Sequence, residues 1–127
     1  MSSKQVLVMK KFPSLRTGKY CAQAAHASVG AVFSLGEVKG NSLVIPLDNP
    51  FVKDWITGSF AKITLQVDTD QELVDIYNTA KKAGLATALI KDAGRTEFNG
   101  VPTLTAVGIG PADPALIDKI TGHLKLF

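Results

Sequence analysis

Cysteine is almost missing from this chain. Cys21 is the only one in 127 residues, so no internal disulfide can form and the sequence fits a reducing, cytoplasmic compartment. Histidine is nearly as scarce. His26 and His123 are the only two, and no His/Cys cluster has zinc-ligand spacing, so no metal is expected. Long apolar runs are missing too: none approaches a membrane span, and residues 1–11 hold no apolar core long enough for a secretion signal. The chain has no internal repeat, no low-complexity tract and no G-x-S-x-G nucleophile elbow. Neither sign of charge dominates. A net charge of +3 permits an anionic partner without demanding one. A chain this long can bury roughly two-thirds of its unfolded surface, so a single domain over residues 1–127 is expected, without staples.

What is present alternates strands with helices. Residues 6–9 are a continuous apolar run, which predicts a strand buried on both faces. Pro13 and Gly18 punctuate a turn, and residues 19–35 predict a helix closed by Gly36. Residues 36–49 read as a loop. Asn49-Pro50 predicts a capped short helix through Trp55 and Ile56, stopping near Gly58. Residues 60–67 alternate, with Ile63, Leu65 and Val67 on one face of a strand. Thr69-Asp70-Gln71-Glu72 is a capping-box pattern, opening a helix that Gly84 ends. Residues 86–90 and 103–109 predict two more strands around a polar loop at 92–100. Asp113-Pro114 caps a last helix that stops at Gly122. The order β-α-(α)-β-α-β-β-α predicts a three-layer α/β/α domain with a mixed four-stranded sheet. Its helix-linked strands run parallel, and the two strands around the 92–102 loop can be antiparallel.

The first helix is the most informative segment. From Tyr20 to Gly36 it carries no Asp, Glu, Lys or Arg. A surface helix usually keeps charge on its wet face, so this one is expected to be buried on most sides. Ala22, Ala25, Val29, Val32 and Phe33 line one side, and Ala24, Ala27 and Ala31 much of the other. Lys19, Gln23 and His26 stand at i, i+4 and i+7, within roughly 60° of one another around the axis, and Gly30 continues the stripe. Such a stripe is either a satisfied core network or the wall of a cleft. Taken singly, Lys19 reads as a solvated first-turn lysine, His26 as a structural histidine and Cys21 as a small buried apolar residue. Gly18-Lys19 after a strand lacks the earlier glycine and following Ser or Thr of a phosphate-binding P-loop. The free N–H groups of the helix start still suit an anion.

Lys91-Asp92-Ala93-Gly94-Arg95-Thr96 forms a second constellation. Ligands in α/β sheets tend to sit beyond the carboxyl ends of parallel strands. Asp92 and the start of the first helix both lie at such ends, so Lys19 and Asp92 can face one crevice. The alternative is a plain turn, which Asp and Gly favour. Trp55 reads as core, Gly108-Ile109-Gly110-Pro111 as a strand end leading into a helix, and His123 as a cation suited to a helix C-terminus.

The residues Gly18-Lys19-Tyr20-Cys21-Ala22-Gln23-Ala24-Ala25-His26-Ala27, then Lys91 to Thr96, Gly108 to Pro111 and Asp118-Lys119-Ile120-Thr121-Gly122-His123-Leu124-Lys125-Leu126, occur in that order over nearly the whole chain. Together they resemble peptidyl-tRNA hydrolase 2, the archaeal and eukaryotic type. The resemblance implies a four-stranded mixed sheet between helices, often as a homodimer. It implies hydrolysis of the ester between a peptidyl group and the 3′ ribose of tRNA, with no metal or organic cofactor; the lack of long apolar runs separately argues against a membrane partner. The family's implicated positions fall on Lys19, Gln23, His26, Asp92, Arg95 and Thr96, and Thr103 stands where the family usually has Ser or Thr. Two segments depart from the pattern. The family's Arg-x-Asp-Leu-x-Met stretch is Lys10-Lys11-Phe12-Pro13-Ser14-Leu15 here, without the acidic residue. The loop after Thr96 is one residue longer and has Pro102 in place of glycine.

Ester hydrolysis needs an attacking water and a stabilised oxyanion. A lysine such as Lys19 suits the oxyanion or a nearby phosphate. Asp92 can orient the water or hold Lys19, but a carboxylate beside a cation is a poor base. His26 suits proton transfer if it reaches the cleft, with Gln23 and Thr96 in support. Arg95, Lys10, Lys11 and Lys91 can meet tRNA phosphates. The competing readings are a non-catalytic RNA- or protein-binding module of the same fold, and a hydrolase of another acyl ester.

Overall fold

The computed structural model describes residues 2–95 and 97–127. The central strand, β1 (Lys4–Lys10), is apolar because both its faces are covered. Val6 and Val8 point into one buried cluster and Leu7 and Met9 into another. The elements that follow are α1 (Thr17–Phe33), a hairpin of β2 (Glu37–Lys39) and β3 (Ser42–Val44), and α2 (Pro50–Asp54). A π-helical turn (Trp55–Ser59) leads to β4 (Lys62–Val67) and α3 (Asp70–Lys82). The chain closes with β5 (Thr87–Asp92), β6 (Thr103–Ala112), α4 (Pro114–Thr121) and β7 (Lys125–Leu126).

The fold is mixed α/β. Among the described residues the main sheet has five strands in the order β5-β6-β1-β4-β7, not the expected four. The fifth, β7, pairs antiparallel with β4 through only two register partners. Two residues are too short to carry a period, so nothing in the sequence marks them as a strand. β1 and β4 are parallel, whereas β6 is antiparallel to both β1 and β5. The carboxyl ends of β1 and β5 therefore share one edge of the sheet with the beginning of β6.

Caps fix where the helices begin. Asn49 accepts from the N–H groups of Phe51 and Val52, Asp113 from that of Ala115 and Thr69 from that of Glu72. Glu72 reaches back to the Thr69 hydroxyl and the Asp68 N–H, tightening the start of α3. Leu73, Ile76 and Ala80 of α3 and Ile117 of α4 fill the Val6–Val8 side of the sheet, while Ala27 of α1 fills the other.

The Gly108-Ile109-Gly110-Pro111 motif is the end of β6, which stops at Ala112 just before Asp113 caps α4, as expected. Two expectations fail. The segment at 36–49 is not wholly a loop, because it holds the β2–β3 hairpin, every residue of which is exposed. The first helix is not buried on most sides. Only Gln23, Ala27 and Ala31 are fully buried, and Cys21, Ala22, Ala25, His26, Val29 and Phe33 are exposed. Its lack of charge reflects an apolar outer surface rather than a core position. No helix among the described residues is long and apolar enough to cross a membrane.

Candidate active site

Three contacts set the depth and rotation of α1. A Cβ on Gly108 of β6 would stand 2.2 Å from the Ala27 carbonyl oxygen, so only glycine lets the helix backbone lie this close to the sheet. The buried Gln5 amide of β1 donates to the Ser28 carbonyl at 3.0 Å and accepts from the Ser28 hydroxyl. At the other end the Phe12 N–H donates to the Tyr20 hydroxyl at 2.8 Å, tying the segment after β1 to the first turn of α1.

Held so, α1 presents Lys19 and Gln23 to the end of β5. The Lys19 ammonium stands 3.0 Å from Asp92 Oδ1, and each side chain is 13% exposed. The Gln23 amide nitrogen donates to the same oxygen at 3.2 Å, and the Gly94 N–H donates to Oδ2 at 2.8 Å. Gly94 adopts a left-handed backbone, and a Cβ there would meet the Val101 backbone at 2.3 Å. The Gly94 carbonyl also accepts from the Gly100 N–H, which closes the loop after β5 on itself. Asp92 thus sits in a cradle of three donors. The Lys19 hydrogen bond is the main cause that holds its carboxyl below the ordinary value of 3.8. Burial pushes the other way, and Gly94, the Lys19 charge and Gln23 add to the lowering.

Gln23 is fully buried, and its other end is also fixed: its carbonyl oxygen accepts from the Thr105 hydroxyl at 2.6 Å. That bond decides which way the amide points and so keeps its N–H₂ on Asp92. Thr105 is absent from the residues singled out by sequence. The available signal is the period of two along β6, which puts Thr105 on the same strand face as Thr103. Thr103 itself is the register partner of Asp92, but its hydroxyl turns to the Val101 carbonyl at 2.8 Å. An open cavity of about 480 Å³ adjoins Lys19, lined also by Arg16, Gly18, Ala22 and Glu97. Arg16 and Glu97 form an ion pair across it.

The remaining sequence candidates scatter. His26 is exposed and makes no hydrogen bond or ion pair among the described residues, so the structure does not bring it to Asp92. Thr96 lies outside the described residues. Arg95 and Lys91 are exposed. Lys10 pairs with Asp70, and its ammonium lies 4.7 Å from the centre of the Phe12 ring. Lys11 lies over the Phe127 ring at 4.5 Å. No group of three or more His, Cys, Asp or Glu suited to a metal ion occurs among the described residues.

This arrangement places an ammonium on the wall of an open cavity and an ionised, oriented carboxylate next to that ammonium. A carboxylate with its lone pairs fixed can hold a water, and the neighbouring ammonium can meet negative charge developing on a carbonyl oxygen. The sequence profile described as peptidyl-tRNA hydrolase PTH2 matches residues 3–127. A peptidyl-tRNA hydrolase of Methanocaldococcus jannaschii is 37% identical over 123 residues, covering 97% of this chain and 98% of the relative. That of Aeropyrum pernix is 40% identical over 125 residues, 98% of this chain and 95% of the relative. A Bos taurus protein named peptidyl-tRNA hydrolase 2, mitochondrial, is 37% identical over 126 residues, 98% of this chain but 64% of its own length. The chain belongs to the peptidyl-tRNA hydrolase PTH2 family.

Proposed function

We propose that this protein hydrolyses the ester between a peptidyl group and the 3′ ribose of tRNA, with Lys19 and Asp92 as its central pair. The observation that carries the assignment of the pair is their 3.0 Å contact, made between segments far apart in sequence, with Lys19 lining an open cavity. Asp92 orients the attacking water. Its lowered affinity for a proton makes it an orienting group rather than the final proton acceptor. Lys19 stabilises the oxyanion of the tetrahedral intermediate. Gln23, aimed by Thr105, holds Asp92 in register for both tasks. Thr96 belongs with this group by its place in the motif. His26 suits proton transfer by its imidazole, and its exposed position would require the bound substrate to complete its link to the site.

Arg95, Lys91 and Lys11 would meet tRNA phosphates, a role their exposure supports, with Lys10 and Thr103 in support. The single, exposed Cys21 supports work in a reducing compartment, taken as the cytoplasm. Two separate buried clusters on either side of the sheet support a three-layer arrangement in one domain. A homodimer is supported by the exposed apolar side chains Val29 and Phe33 of α1 and Val38, Leu43 and Val44 of the hairpin. Sedimentation velocity at micromolar concentration tests it, and a strictly monomeric chain removes it.

The decisive assay compares three substrates: N-acetyl-aminoacyl-tRNA, free aminoacyl-tRNA and a simple ester. Selective release from the first is expected. In Lys19→Ala and Asp92→Asn, kcat should fall by about 10²–10³, the usual consequence of losing an oxyanion donor or its partner, in variants that circular dichroism shows to be fully folded at the assay temperature. Turnover close to wild type in both variants rejects the assignment of the pair.

A further inference from the structure

The chain has six Phe, two Tyr and one Trp, and four of these nine rings stand in one row beside the Lys19–Asp92 pair. Phe98 meets Phe12 at 5.0 Å between ring centres, Phe12 meets Tyr20 at 6.4 Å and Tyr20 meets Phe127 at 4.8 Å. Ammonium groups are interleaved along it. Lys19 lies 5.9 Å from the centre of Phe98, Lys10 4.7 Å from that of Phe12 and Lys11 4.5 Å from that of Phe127. The row begins at the reacting pair, passes around the start of α1 and ends at the surface, where Phe127 is 43% exposed.

We propose that this row seats the single-stranded 3′ end of the tRNA, bases stacking on the rings and Lys11 meeting a phosphate, while Lys10 and Lys19, paired with Asp70 and Asp92, add positive potential along the path. The proposal rests on the hydrolase reading for the identity of the substrate. Alternating rings and ammonium groups are what a single-stranded nucleic acid requires of a surface: flat partners for bases and positive charge at backbone spacing. A purely structural cluster needs the rings but not the cations. A seat for an apolar peptide side chain likewise gains nothing from three ammonium groups. The position fits as well, because the scissile ester sits on the terminal ribose and the preceding nucleotides must lead away from the reacting pair.

The test is fluorescence anisotropy with the full chain and a labelled acceptor-stem minihelix, either ending in single-stranded ACCA or blunt-ended. Wild type should bind the tailed form about tenfold more tightly. Phe98→Leu and Phe127→Leu, which keep apolar volume but remove the stacking face, should each weaken tailed binding by about five- to tenfold and leave blunt-ended binding unchanged. Equal affinity of wild type for both forms overturns the proposal, as does an undiminished preference in both ring variants. A loss that tracks the acyl side chain of N-acetyl-aminoacyl-tRNA instead of the tail also overturns it, in favour of a peptide seat. Binding is read without turnover, so a chain that prefers the tail but releases no peptide fails the hydrolase reading alone.

Discussion

At the residue scale, the candidate site is a chain of hydrogen bonds that starts in the core and can act as a relay of orientation. Thr105 fixes the Gln23 amide, Gln23 fixes Asp92, and Asp92 shares an oxygen with Lys19. Thr105→Val removes one hydroxyl and leaves a buried carbonyl oxygen without its donor, which should cost about 1–3 kcal/mol of stability. With the amide released, kcat should drop about tenfold, and Thr105→Ser should restore both quantities. Urea unfolding and steady-state turnover measure the two effects, and an unchanged kcat in Thr105→Val would place Thr105 outside the relay. Asp92 carries a pH signature of its own. Its folded-state affinity for protons is below that of the unfolded chain, so the unfolded state takes up the proton first as pH falls. The stability Asp92 contributes is therefore complete above the ordinary carboxylate range and is lost as pH falls through the lowered folded value. The gap in urea midpoint between wild type and Asp92→Asn should be constant from neutrality down to about pH 5 and should close below about pH 4. A gap that already closes near pH 6 would mean that Asp92 is not held as a carboxylate by Lys19.

At the scale of elements, α1 is the part on which the site depends, and its seat is Gly108. Gly108→Ala would force the helix backbone off β6 by more than a side-chain adjustment can absorb, with an expected loss of about 1–3 kcal/mol. Because Lys19 and Gln23 ride on that helix, turnover should fall further than stability alone accounts for. A variant that loses stability while keeping full kcat below its melting temperature would show that Lys19 tolerates a displaced helix. The same helix illustrates what a sequence displays. Its start, the caps at Asn49, Thr69 and Asp113, and the buried run of β1 are local signals, set by neighbours within one turn or one strand, and they are legible. Which side of α1 is wet was not legible, because an uncharged helix satisfies either a core position or an apolar outer face. Strand β7 and the β2–β3 hairpin are short and exposed, so their pairing leaves no periodic trace. The approach of Lys19 to Asp92 could be inferred from the rule that strand ends share an edge. The Thr105–Gln23 bond could not, since it depends on which β6 residue lies under which turn of α1. Phe12 and Phe98 were likewise unremarkable until two irregular segments were brought together.

For the whole molecule, charge decides how a large polyanion reaches so small a site. The net charge is only +3, so the attraction comes from where the cations stand rather than from their number. Lys10 and Arg16 are already engaged with Asp70 and Glu97, and their pull on a phosphate is reduced accordingly. Lys11 meets only aromatic rings among the described residues, and Lys91 and Arg95 are exposed. These three are the cations expected to displace counterions. With about three phosphate contacts, the logarithm of KM for N-acetyl-aminoacyl-tRNA should rise with the logarithm of salt at a slope of about 2–3. The kcat should stay level over the same range, because the Lys19–Asp92 pair is mostly shielded and bulk ions screen it weakly. An N-acetyl-aminoacyl ester of adenosine alone carries no phosphate, and its KM should be flat in salt. Lys11→Gln should reduce the slope for the tRNA substrate by about one contact, about 0.7–0.9, without altering that for the adenosine ester. A flat KM for the tRNA substrate in wild type would separate the cations from the phosphates altogether. Substrate selection would then rest on the rings and the reacting pair, and the basic residues would serve only the protein's own ion pairs and ring contacts.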